Sequence, residues 1–87
     1  MITLESFKKL YAFLDGEPEF KISIRGTSQE YMIINYGDGA EFLRCGNDTP
    51  LPMKKYGSLE ELLASSDIDG ICLSKEWDYI EDIIVNG

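Results

Sequence analysis

The 87-residue chain is predicted to fold as an α+β domain, a small antiparallel sheet with two to three helices on one face. Three observations carry this expectation. Apolar residues near the N-terminus recur at helical spacing. Three central segments read as strands joined by glycine-containing turns. A capping box then opens a second helix. The expected order is α-β-β-β-α-(α)-β, with the three strands as a meander and a possible fourth strand at the C-terminus.

The first helix rests on Phe7, Leu10, Tyr11 and Leu14, which fall at i, i+3, i+4 and i+7. Thr3 is the expected N-cap, with Ile2 and Phe7 placed for a hydrophobic staple. Glu5 sits in the first turn, where the helix dipole favours an anion. Asp15-Gly16 ends the helix and Pro18 prevents its return. In Phe20–Arg25, apolar Phe20, Ile22 and Ile24 alternate with polar residues, the pattern of a half-buried strand. Gly26-Thr27-Ser28 is a turn. Tyr31–Tyr36 is apolar on both faces and belongs centrally in the sheet. Gly37-Asp38-Gly39 is a hairpin turn, and Ala40–Cys45 the return strand.

Gly46–Pro52 is rich in Gly, Asn, Asp, Thr and Pro and reads as a loop. Lys54 and Lys55 follow. Ser58 and Glu61 form the capping box of a helix whose apolar side is Leu59, Leu62 and Leu63. It should run to Ser65 or Ser66 and leave through Asp67-Ile68-Asp69-Gly70. The last segment is expected as a short helix over Leu73–Asp78 and a strand over Ile80–Val85; one helix through Ile84 is the alternative. Trp77 with Phe7, Leu10, Leu14, Ile22, Ile33 and Leu62 should centre the core. An exposed Trp77 serving as an interface anchor is the competing reading.

Composition excludes several function classes. The length suits one domain, residues 1–87, burying roughly 60–65% of its unfolded surface. Hydrophobic, charged and aromatic fractions of 44%, 28% and 11% are those of a globular chain rather than a disordered one. No apolar run approaches the ~20 residues of a membrane span, and the N-terminus lacks a signal-peptide pattern. The expected compartment is therefore the cytoplasm, with no membrane partner.

Histidine is absent, which removes the commonest general base and the imidazole zinc sites. Cys45 and Cys72 form no CxxC pair and are expected as small, mostly buried hydrophobes, unbridged in a reducing compartment. The acidic pairs Glu60-Glu61, Asp67 with Asp69, and Glu81-Asp82 carry no sign of the burial that general acid chemistry needs. Asp67-Ile68-Asp69-Gly70 opens like a calcium loop, but its glycine is fourth rather than sixth and position twelve is Asp78. Gly37-Asp38-Gly39 lacks the strand-to-helix context of a phosphate cradle. No catalytic residue, cofactor or metal is expected. Direct nucleic-acid binding is not expected either, because the bases form only isolated pairs, Lys8-Lys9 and Lys54-Lys55.

The charge is unevenly placed. The formal net charge is -8. Residues 1–57 hold eight acids against seven bases, whereas residues 58–87 hold eight acids against Lys75 alone, leaving -7 in that last stretch. The leading expectation is a non-enzymatic cytoplasmic binding protein that presents its acidic C-terminal third to a basic, nucleic-acid-handling protein. Candidate partner-binding residues are Asp67, Asp69, Glu76, Asp78, Glu81 and Asp82. Glu60 and Glu61 are set aside because capping explains them. In size and charge the chain is similar to small acidic inhibitors that mimic DNA and to immunity proteins that block basic nuclease toxins, although no residue motif places it in either class. The alternative is an interaction module or homo-oligomeric assembly subunit with an apolar contact surface, its charge serving solubility alone.

Overall fold

The computed structural model describes residues 2–86 and has the α+β architecture. Helix α1 (Leu4–Phe13) leads into strands β1 (Glu19–Ile24), β2 (Glu30–Asn35), β3 (Ala40–Arg44) and β4 (Met53–Tyr56). Helix α2 (Leu59–Ala64), helix α3 (Leu73–Glu76) with a 3₁₀ turn over Trp77–Tyr79, and strand β5 (Ile80–Asn86) complete the described residues. All pairings are antiparallel, and the sheet order is β4-β3-β2-β1-β5. The sheet thus gains one strand, β4, beyond the meander and the C-terminal strand. The final segment divides into helix and strand as expected.

Local chemistry accounts for the elements. Thr3 caps α1, its Oγ1 accepting from the Ser6 N–H at 3.1 Å. Ser58 caps α2 in the same way, accepting from the Glu61 N–H at 3.2 Å. The Glu61 carboxylate reaches one residue further back than a standard capping box, to the N–H of Gly57. Neither helix is long enough to be stable alone, so packing of the apolar face holds each in place.

Phe20, Ile22 and Ile24 of β1, Tyr31 and Ile33 of β2, and Ala40 and Phe42 of β3 share the covered face. They meet Phe7 and Tyr11 of α1, Leu62 and Leu63 of α2, and Ile68, Leu73 and Trp77 from the crossover. Trp77 is only 6% exposed and its Nε1 donates to the Ile2 carbonyl at 3.1 Å, so it is a core residue. Leu10 and Leu14 pack at the margin of the core rather than at its centre.

β4 escapes the sequence pattern because an edge strand of four residues, MKKY, has little apolar alternation to display. Lys54 lies beside Phe42 and Lys55 beside Glu41. The hairpin between β2 and β3 closes through the Tyr36 N–H on the Gly39 carbonyl, with Gly37 at a φ of 86°. Gly39 is required for a second reason. A Cβ there would lie 2.9 Å from the Tyr56 carbonyl oxygen at the end of β4.

Gly39→Ala should therefore destabilise the fold by about 1–3 kcal/mol, since backbone must shift to admit the methyl group. Gly57→Ala, where a Cβ meets only the Glu61 carboxylate at ordinary contact distance, should stay within about 0.5 kcal/mol. Paired urea titrations of the two variants would check the contrast; equal losses would contradict it.

Candidate functional site

The crossover from β4 to β5 carries the acidic third of the chain across the whole sheet. Its two ends sit on opposite edges, about 19 Å apart at an inter-strand spacing of about 4.8 Å. The six acids proposed from the sequence are therefore spread along the crossover and do not form one patch.

Asp67 and Asp69, in the turn after α2, face the β4 and β3 side. The Tyr56 hydroxyl donates to Asp67 Oδ2 at 2.9 Å, and Lys54 Nζ lies 3.2 Å from the same oxygen. Those two partners hold the Asp67 carboxyl below its ordinary range. Asp69 accepts from the Tyr31 hydroxyl and from Arg44 Nη1, each at 2.8 Å. Arg44 also pairs with Asp48 of the β3–β4 loop. Asp69 has a φ of 54°, a left-handed conformation that aspartate tolerates better than most residues. The cluster of Tyr31, Arg44 and Asp69 thus pins the crossover turn to β2 and β3. Glu76 accepts from the Cys72 N–H at 2.8 Å and closes the start of α3. These three carboxylates are occupied by the fold itself.

Asp78, Glu81 and Asp82 lie at the other edge. All three are exposed, and among the described residues none has a base within 4 Å of its carboxylate. Arg25 approaches Asp78, but through its backbone: Nη2 donates to the Asp78 carbonyl at 3.4 Å, with the guanidinium 5.8 Å from the centre of the Tyr79 ring. Glu81 occupies a β-bulge. Ser23 faces Asp82 and Ile24 faces Ile80, so Glu81 is an extra residue on β5. The two acids set aside are also engaged, Glu61 at the α2 start and Glu60 with Lys8 of α1 at 3.4 Å.

Three features lie outside the sequence-based expectations. Glu41 is 4% exposed on the sheet face that no helix covers, where it accepts from the Tyr36 hydroxyl at 2.9 Å. Lys55 sits 4.7 Å from the centre of the Tyr36 ring. A groove of about 450 Å³ runs between α1 and β5, lined by Ile2, Leu10, Glu81, Asp82, Ile83 and Val85. Its only sequence signal is the apolar run Ile83–Val85.

Both cysteines are free and half-buried rather than mostly buried. Burial pushes the Cys45 thiol up, while a hydrogen bond with Ser74 lowers that of Cys72. Among the described residues no three His, Cys, Asp or Glu side chains are placed to share a metal ion, and no helix is long and apolar enough to cross a membrane. Comparison of the chain with protein-family models, with curated proteins and with solved structures returned no match.

The Asp69 cluster has a titratable consequence. Burial, and then the bond to Asp69, push the Tyr31 hydroxyl from 10.0 up to about 12. Between those values the unfolded chain binds fewer protons than the folded chain, so rising pH favours unfolding. The contribution of Tyr31 should be whole below about pH 10 and lost on the way to about pH 12. Tyr31→Phe should cost about 1 kcal/mol at neutral pH and make the alkaline decline shallower. Chemical denaturation from pH 8 to 12 would test this, and an unchanged alkaline slope would count against it.

Proposed function

We propose that this is a non-enzymatic cytoplasmic binding protein that engages a basic protein through the acidic edge formed by Glu81 and Asp82, with Asp78 at its flank. The observation that carries the reading is the contrast among the six candidate acids. Asp67, Asp69 and Glu76 are bound by partners within the fold. Asp78, Glu81 and Asp82 are exposed and lack an ion-pair partner among the described residues. Carboxylates of the second kind are free to attract an opposing basic surface and to speed its approach. Asp78 ranks below the other two because Arg25 lies against its backbone.

A nucleic-acid-handling protein is the partner class favoured by this chemistry, since its phosphate-binding bases would accept carboxylates in place of phosphates. An inhibitory or immunity-type role is consistent with that partner. The net charge of -8 supports the same choice and disfavours direct contact with nucleic acid.

Immobilised protein should retain a basic protein from lysate at low salt and release it as salt rises, because Debye screening weakens exposed charge pairs. The triple variant Asp78→Asn, Glu81→Gln, Asp82→Asn should lose that retention while keeping the wild-type melting temperature to within about 2 °C. Retention unaffected by the triple variant, or no retained basic protein, would overturn the reading. The double variant Asp67→Asn, Glu76→Gln should retain the partner as the wild type does.

A further inference from the structure

The two edges of the sheet differ in how they are defended against strand addition. The β4 edge is four residues long and carries Lys54 and Lys55, a common means of blocking edge pairing. β5 is seven residues long, contains no base, and ends in Ile83-Ile84-Val85-Asn86. Ile84 and Val85 are 47% and 41% exposed.

Antiparallel alternation shows which β5 backbone groups are free. The Asn35 N–H donates to the Pro18 carbonyl, so Phe20 and Ile22 bond toward β2 and Glu19, Lys21 and Ser23 bond toward β5. Their partners on β5 are Asn86, Ile84 and Asp82. The N–H and C=O groups of Ile83 and Val85 therefore point away from the sheet. The side chains of these two residues lie on the helix-covered face, alongside Ile22 and Phe20, and line the groove opposite Ile2 and Leu10. Glu81 and Asp82 also border this groove, and the register turns the Asp82 side chain, like that of Ile84, to the opposite face of the strand.

Resting on the acidic recognition proposed above, we infer that the basic partner docks as an extended segment added to the outer edge of β5. Its backbone pairs with Ile83 and Val85. Its alternate side chains enter the groove beside Leu10, and a lysine or arginine among those on its other face meets Asp82, with Glu81 beside it at the bulge. This combines main-chain affinity with side-chain pockets, the general logic of strand addition. Charge complementarity selects the occupant. A basic segment meets these carboxylates favourably, whereas a second copy would bring another -8 to the contact. The bulge at Glu81 limits the added strand to the stretch beyond it.

A synthetic octapeptide alternating lysine and valine is the probe. On binding wild-type protein, it should slow hydrogen exchange at the Ile83 and Val85 amides by about tenfold or more and leave Ile84 little changed. Val85→Pro removes an outward N–H that β1 does not use and keeps every carboxylate; it should weaken binding by about tenfold. N-methylation of every second peptide residue should do the same against the wild type, independently of how the proline variant folds. If the wild type does not bind the peptide, or if neither Val85→Pro nor N-methylation weakens binding, strand addition is overturned. In the second case, Glu81→Gln with Asp82→Asn separates the readings. A loss of binding there leaves acidic recognition standing, and no loss removes both. Slow exchange at Ile83 and Val85 in a peptide-free homodimer would assign the edge to a second copy and overturn the basic occupant.

Discussion

The fold depends on the burial of Phe7. Its ring is fully buried, 5.1 Å from the Phe20 ring of β1 and 5.0 Å from that of Trp77, with Tyr11 at 6.2 Å. Three distant parts of the chain meet there: the first helix, the second-outermost strand and the end of the crossover. Removing such a ring from water contributes about 1.5–3 kcal/mol. None of the helices is long enough to persist without this kind of tertiary support. The indole hydrogen bond to the Ile2 carbonyl fixes the same junction from the polar side. Because Trp77 is held there, the chain emerges from its 3₁₀ turn beside β1 and continues as β5.

That placement reshapes the meaning of the net charge. Along the sequence, the acids of residues 58–87 look like one block. In space the crossover traverses the sheet, and its acids separate according to what lies beneath them. At the β3 and β4 side they meet tyrosine hydroxyls, Lys54 and Arg44, and become struts that hold the turn down. At the β5 side Arg25 is turned toward a backbone carbonyl and a tyrosine ring, and among the described residues no base comes within 4 Å of the Asp78, Glu81 or Asp82 carboxylate. The same residue type is structural in one place and available in the other.

Much of the fold was legible in the sequence because local rules agreed with tertiary demands. Thr3 and Ser58 cap the helices they were expected to cap. The alternation of Phe20, Ile22 and Ile24 matches the burial of β1. The hairpin glycines mark the turn between β2 and β3. β4 was not legible, because an edge strand with lysines on both faces is stabilised by pairing with β3 rather than by its own pattern. Its lysines then find Asp67 and Tyr36, contacts between segments far apart in sequence or on separate strands. The Tyr31, Arg44 and Asp69 cluster was hidden for the same reason: each member is unremarkable in its own local stretch.

The sequence by itself determined the fold class, the helix starts, the central strands and the concentration of acids toward the C-terminus, all of which follow from short-range periodicity and composition. Only the tertiary structure decided which acids are bound and which are open, and that β5 forms an outer edge beside a groove of apolar and acidic residues. Those properties depend on which strand lies next to which. Strand order is set by packing around Phe7 and Trp77 across the full length of the chain, and no local pattern records it.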